Sequence, residues 1–287
     1  MAKLKHTFKN DMLFKLLFTK NPHLLERFVS RLLNIPPENI RDFKVVNPEM
    51  PPNIIDNKLC RLDILMEVDG QQVNIEVQVE DEGNFPERVL FHWARAYSNA
   101  LTSGRNFKEL PRTILINILG FSLFKDYDGY HSEFQVLEVT RHVSLSDKMA
   151  IHFFELEKLP EEVNKDDIPL VWLQLFKADT EEELQMSSDT ELAEVNEVIT
   201  AYRNLMASAE FREYERQREK AELDERQRTN NAVVRAAEEA TKKATEETNK
   251  KWQSVVDEKD AEIVSKDAEL SAKDAEIAEL KAKLSNT

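Results

Sequence analysis

Leu59-Cys-Arg-Leu-Asp-Ile-Leu-Met-Glu-Val68 and Gln71-Gln-Val-Asn-Ile-Glu-Val-Gln-Val79 are the two segments of this 287-residue chain with the clearest structural pattern. Apolar and polar residues largely alternate in both, as they do in half-buried strands, and Asp69-Gly70 joins them. An Asp-Gly pair between such segments predicts a two-residue hairpin turn. The turn also predicts the register, in which facing residues have numbers that add up to 139.

This register predicts one apolar face, in which Leu62 meets Val77, Ile64 meets Ile75 and Met66 meets Val73. On the other face Asp63 falls opposite Glu76, with Cβ atoms about 4.5–5.5 Å apart, and Gln78 follows one pleat later. Two carboxylates so close repel each other, and a divalent cation such as Mg²⁺ would compensate them. The alternative is that both acids merely solubilise an exposed sheet face.

Helices and further strands are expected around the hairpin. Apolar spacing predicts two helices between Lys9 and Asn34, divided at Asn21-Pro22, and a third over Pro86–Leu101. Further strands are predicted over residues 113–119, 133–139 and 149–156. This mixture indicates an α/β or α+β fold.

Composition excludes several classes of protein. The chain has 5 glycines, none at the spacing of a phosphate-binding loop, a dinucleotide-binding loop or a serine-hydrolase elbow, so we expect no nucleotide cofactor. The single cysteine, Cys60, excludes an internal disulfide and is typical of a reduced, cytoplasmic setting. The longest apolar run, Thr113–Phe124, is too short for a membrane helix.

A change of composition near residue 181 divides the chain. All 10 prolines and all 5 glycines precede it, which predicts a folded domain over residues 1–180 and a charged helical tail over 181–287. The net charge of −15 divides into −5 for the domain (22 basic, 27 acidic residues) and −10 for the tail (17 basic, 27 acidic). The whole-chain charge argues against nucleic acid as a partner, whereas residues 1–31 carry a local +5 that would suit DNA.

The end of the tail repeats every seven residues. Val256, Ile263, Leu270, Ile277 and Leu284 form one apolar row over residues 256–284, which predicts a coiled coil and a homo-oligomer. The companion core position holds Lys266 and Lys273. A solvated single helix is therefore the alternative.

Several motifs resemble the PD-(D/E)XK nuclease core, in its variant with Gln in place of the usual Lys. The more specific resemblance is to the Rpn group of recombination-promoting nucleases, also described as transposases, and it covers roughly residues 5–160. Its motifs here are Asn10-Asp11-Met-Leu-Phe14-Lys15-Leu-Leu-Phe18, Arg61-Leu-Asp63-Ile-Leu65, Asn74-Ile-Glu76-Val-Gln78-Val79, Phe85-Pro-Glu-Arg88 and Trp93-Ala-Arg-Ala-Tyr97.

The resemblance implies a restriction-endonuclease-like mixed central sheet flanked by helices, and a metal-dependent DNA endonuclease that promotes recombination or acts as a transposase. It implies Mg²⁺ or Mn²⁺ held by Asp63 and Glu76, with Gln78 in the catalytic-lysine position. Relatives add an acidic residue from an amino-terminal helix, a place that Asp11 matches better than Glu26.

The same resemblance implies DNA contacts from Lys15, Arg61, Arg88 and Tyr97. The helix that carries Arg88 resembles one that contacts phosphates in related nucleases. For Trp93 and Tyr97 a role as ordinary core anchors is the alternative.

A rival hypothesis follows from Gln78, which removes a positive charge beside the phosphate, and from the charged tail. The chain would then be a catalytically weak or inactive nuclease fold that binds DNA or protein.

Overall fold

The computed structural model describes residues 2–46, 64–81, 83–101, 106–188 and 192–285. Within them the chain forms one sheet in the order β1-β2-β3-β4-β6-β5. The strands are β1 (Phe43–Val45), β2 (Ile64–Val68), β3 (Gln71–Gln78), β4 (Thr113–Leu119), β5 (His131–Leu137) and β6 (Ser144–Glu155). The pairs β3–β4 and β4–β6 are parallel, and the others are antiparallel. The predicted α/β fold with a mixed sheet is confirmed.

The described residues also form seven α-helices, which lie on both faces of the sheet or follow it in the chain. They are α1 (Asp11–Lys20), α2 (Pro22–Leu32), α3 (Phe85–Asn99), α4 (Ile168–Lys177), α5 (Glu181–Ser188), α6 (Ala193–Ala207) and α7 (Ala209–Ser285). The predicted division of the first two helices is confirmed, because α1 ends before Asn21 and Pro22 opens α2.

The predicted hairpin is confirmed. Asp69 and Gly70 both have positive φ angles, 48° and 75°, as a type I′ turn requires. Ile64 faces Ile75 and Met66 faces Val73, as the register predicts. Leu62, Asp63 and Cys60 lie outside the described residues, so the pairing of Asp63 with Glu76 stays a prediction.

The two faces of the sheet are covered by different helices. Ile64, Ile75 and Ile116 belong to the main core, which α1, α2, α4 and α6 complete on one face. On the other face α3 packs against β4 and β6, where Phe85 and Val89 contact a smaller apolar cluster. Side chains on both faces of β4 are therefore buried. On the second face of β3, in contrast, several polar side chains are only half-buried.

The compact unit extends beyond the expected boundary at residue 180. It runs Met1–Arg218, and a second unit runs Glu219–Thr287. The reason is that α5, α6 and the start of α7 contribute buried apolar side chains to the main core, namely Leu184, Val195, Val198, Ile199, Tyr202, Leu205 and Phe211. The charge-rich helical segment after residue 180 thus completes the folded body before it continues as the tail.

A pair of histidines, half-buried His131 and buried His152, joins the last two strands. His131 Nε2 and His152 Nδ1 lie 3.0 Å apart, so one ring donates a hydrogen bond to the other. Burial is the main cause that lowers the pKa of His152 to about 4; Glu133 opposes the shift, and nearby His131 and Arg112 contribute to it. Burial also lowers the pKa of His131. Both rings therefore favour the neutral form.

These shifts predict that the protein loses stability as the pH falls from 6.5 towards 4. A histidine with a lower pKa in the folded state binds its proton more readily when unfolded, so protonation favours unfolding. For His152 the loss amounts to about 3 kcal/mol over this range. Urea unfolding at several pH values should show a smaller decline for His152→Gln. His142→Asn, at an exposed position directly after the turn at residues 139–141, is the control, and equal declines for wild type and His152→Gln would contradict the prediction.

Candidate active site

Glu76 is a buried carboxylate on the sheet face that α3 covers. Its neighbour Ile75 points into the main core, so Glu76 points to the opposite face. Only 6% of the residue is exposed. On the adjacent strand its register partner is Asn117, which is also buried and donates a hydrogen bond to the carbonyl oxygen of His152 (3.0 Å). Glu76 therefore lies where a charge needs compensation.

Arg88 brings a positive charge to this carboxylate. Its Nη2 lies 3.7 Å from Glu76 Oε1, and its guanidinium lies over the Phe85 ring at 4.8 Å from the centroid. The loop from β3 to α3 is short, so the first turn of α3 lies beside the end of β3. The structure thus joins two predicted site residues, Glu76 and Arg88, in one partly desolvated ion pair.

Gln78 lies on the same side of β3 as Glu76, two residues further on. Its Nε2 donates a hydrogen bond to the carbonyl oxygen of Glu80 at 2.9 Å, which orients the amide. Beside it, a Cβ on Gly120 would lie 3.1 Å from the Val79 carbonyl oxygen, so the backbone here is closely packed. Gln78 therefore occupies an ordered position at the end of the strand.

Asp63 and Arg61, predicted as a metal ligand and a DNA contact, lie outside the described residues. The observed Ile64–Ile75 pair is the neighbour of the expected Asp63–Glu76 pair. Continuation of the same register would place the two carboxylates opposite each other. Their pairing remains a prediction that the hairpin supports.

Asp11 is the first residue of α1, and its ion-pair partner is Arg218. Its Oδ1 accepts hydrogen bonds from Arg218 Nη1 and from the Met12 amide, both at 2.9 Å. Helix α1 packs on the main core, on the sheet face opposite to Glu76. A role of Asp11 at the metal would therefore compete with its ion pair to Arg218. Glu26, the lesser alternative, is half-buried on α2.

Two of the residues predicted to contact DNA, Lys15 and Tyr97, are buried and half-buried. Lys15 is 4% exposed, so a contact with DNA would require its side chain to leave the interior. Tyr97 is half-buried and stacks on Trp93, with centroids 5.0 Å apart, while Trp93 Nε1 donates to the Thr113 carbonyl oxygen at 3.0 Å. For Trp93 the geometry favours the core-anchor interpretation.

The basic amino-terminal segment is largely neutralised by acids from later in the chain. Five of the seven Lys and Arg side chains of residues 1–31 form ion pairs, which couple Lys5 to Glu215, Lys9 to Asp179, Lys20 to Glu210, Arg27 to Glu197 and Arg31 to Glu194. The partners are 163 to 210 residues apart in sequence. The local charge expected to meet DNA is thus offset within the protein, which the sequence alone does not reveal.

Asn117 is a polar residue of this face that lies outside the sequence motifs described above. It is 1% exposed and faces Glu76 across the β3–β4 pair. A signal was present, because Asn117 is the single amide in the otherwise apolar run Ile114–Leu119. A buried amide in a central strand is unusual enough to mark a site.

The described residues fit a divalent cation only in part. Glu76 supplies a buried carboxylate, and hard cations such as Mg²⁺ take oxygen ligands. Within the described part of the chain no group of three His, Cys, Asp or Glu residues is placed to hold a metal ion. The second carboxylate expected directly beside Glu76 is that of Asp63, which lies outside the described residues.

A mixed sheet whose hairpin strand carries a buried Glu76, followed by Gln78 and covered by a helix with Arg88, has the features of a PD-(D/E)XK nuclease domain. The family model described as PD-(D/E)XK nuclease family transposase matches residues 8–232, and the chain belongs to this family. Its function is accordingly nuclease-like or transposase-like. Comparisons with curated proteins and with solved structures give no match. None of the described helices is long and apolar enough to span a membrane.

Proposed function

We propose that the protein is a metal-dependent DNA endonuclease that hydrolyses phosphodiester bonds in the cytoplasm and promotes DNA recombination or transposition. The observation that carries the proposal is the burial of Glu76, which is 6% exposed and lies on the second strand of the Asp-Gly hairpin. Family membership supports the nuclease class. Metal dependence, the endonucleolytic cut and recombination are the parts that the proposal adds.

Asp63 and Glu76 would hold the metal, Mg²⁺ or Mn²⁺. PD-(D/E)XK nucleases generally use divalent ions, and such an ion activates water and stabilises charge on the phosphate. Asp11 is a further candidate for the acidic set if its pair with Arg218 opens. The guanidinium of Arg88 lies 3.7 Å from the Glu76 carboxylate and compensates its negative charge in the buried position.

In this proposal Gln78 and Arg88 together perform the role of the catalytic lysine that is usual in this superfamily. The neutral amide of Gln78 orients the attacking water or the scissile phosphate by hydrogen bonds. The guanidinium of Arg88 supplies the positive charge that Gln78 lacks, and a planar guanidinium suits phosphate oxygens. Arg61, Lys15 and Tyr97 are further proposed DNA contacts, with Arg88 the best placed of the described ones because it lies beside Glu76.

A binding module without cleavage is the second candidate. The amide of Gln78 is bound to the Glu80 carbonyl oxygen, and a neutral amide stabilises a phosphate transition state less than a cation does. In that case the fold would bind DNA or protein through the same face or through the helical tail.

Cleavage of supercoiled plasmid by the full chain tests the proposal. We expect nicked or linear DNA with Mg²⁺ or Mn²⁺, and no cleavage when EDTA removes the metal. Asp63→Ala should be inactive because one of two metal ligands is lost. Equal nicking by wild type and Asp63→Ala would refute the site, and intact plasmid with wild type would favour the binding module.

A further inference from the structure

The second compact unit, Glu219–Thr287, carries a row of exposed apolar side chains on α7. The residues that define this row, called the seam, are Trp252, Val256, Ile263, Leu270, Ile277 and Leu280. Each is between 48% and 65% exposed. A helix face with so many large apolar side chains in water is typical of an interaction surface.

The seam follows the core positions of a coiled coil. Val256, Ile263, Leu270 and Ile277 recur every seven residues at the first core position, a. Trp252 and Leu280 occupy the second core position, d, at the two ends. The core is therefore apolar at both positions where the seam begins and ends.

Between these ends the d position holds three lysines, Lys259, Lys266 and Lys273. Within the chain Lys259 and Lys266 both bind Glu262, at 2.7 and 2.8 Å. Each of the three lysines is followed directly by an aspartate, which takes position e. In a parallel pair of helices, position d lies beside position e of the partner helix. Each lysine would then meet an aspartate of the other chain.

We propose that a second copy of this chain covers the seam and forms a parallel, in-register two-stranded coiled coil. Parallel pairing stacks each a residue on its own copy, so Ile263, Leu270 and Ile277 meet apolar partners. Antiparallel pairing would instead place the a row against the lysines at d. Ile277 at position a followed by Leu280 at position d is also the combination that favours two parallel strands. The charge pattern and the apolar row thus select the same partner and the same direction.

The length of the segment is adequate for such a dimer. Residues 252–284 span about 50 Å of helix at 1.5 Å per residue. The three lysines weaken the core, because a polar residue at a core position specifies pairing at the expense of stability. We therefore expect a concentration-dependent dimer that rests on residues of the second unit alone.

Sedimentation equilibrium of the full-length protein tests whether the seam forms a dimer. Wild type should show twice the chain mass of 33.4 kDa, dissociating on dilution. Leu270→Glu should raise the dissociation constant about 100-fold or more, since it places a charge in the seam. Ala268→Glu, two residues away and off the seam, is the matched control and should dimerise like wild type. A monomeric wild type, or equal effects of both variants, would overturn the proposal.

Two further variants test the register and direction. Lys266→Leu should tighten the dimer, because an apolar residue completes the d position. Ile277→Cys in a Cys60→Ser background should form a disulfide-linked dimer on mild oxidation, since parallel pairing juxtaposes the two Cys side chains. A dimer that does not cross-link, or a wild-type mass of three or more chains, would overturn the parallel two-stranded arrangement.

Discussion

Glu76→Gln should lower the rate of plasmid nicking by about 10²–10³-fold or more, the loss that follows removal of a single hydrogen-bond donor to a transition state. Gln has nearly the shape of Glu and retains a hydrogen-bonding oxygen, so the substitution removes the charge with little change of packing. The charge matters because Glu76 is a buried carboxylate beside Arg88 and Gln78 and would bind the cation. Single-turnover cleavage at saturating metal measures the effect.

Two controls separate catalysis from folding and from binding. Glu67→Gln lies on the same sheet face, on strand β2, and Glu67 is exposed, so its loss should leave nicking unchanged. Fluorescence anisotropy with labelled DNA in Ca²⁺ should show that Glu76→Gln still binds, because the variant removes a negative charge near the phosphates. Equal nicking by Glu76→Gln and wild type would exclude Glu76 from the metal site.

A chain that ends at Thr180 should fail to fold cooperatively, whereas one that ends at Ala232 should fold. The first truncation removes the seven apolar side chains that α5, α6 and the start of α7 bury in the main core. Burial of each such side chain contributes about 1.5–3 kcal/mol, so the total lost is about 10–20 kcal/mol. The net stability of a domain is only about 5–15 kcal/mol, so the remainder cannot retain its native packing.

The chain that ends at Thr180 would also lose a buried hydrogen bond and an aromatic stacking contact. Trp172 is fully buried, and its Nε1 donates a hydrogen bond to Glu194 Oε1 at 3.0 Å. Phe8 stacks on Tyr202 with ring centroids 4.9 Å apart. Urea unfolding followed by near-ultraviolet circular dichroism measures the outcome, with the chain ending at Ala232 as the control. A sharp transition at the same midpoint for both chains would show that the body ends near residue 180.

Local patterns are sufficient to predict the hairpin and the central strand. The Asp69-Gly70 pair allows the positive φ angles of the turn, and the alternation of Ile64 and Met66 against Val73 and Ile75 specifies which residues face each other. These interactions join residues close in sequence, so a pattern of period two is enough to predict them. The order of Asp63, Glu76 and Gln78 along the chain, and the family that this order resembles, are likewise features of a short stretch of sequence.

Long-range contacts leave no such pattern. The sequence alone determined the mixed α/β class, the hairpin register and the strand that carries Glu76, because each depends on turn chemistry or side-chain periodicity. The approach of Arg88 to within 3.7 Å of Glu76 and the pairing of Asp11 with Arg218 depend on how distant segments pack together. The completion of the core by α6 likewise depends on such packing, since its contacts join segments whose separation along the chain leaves no local signal.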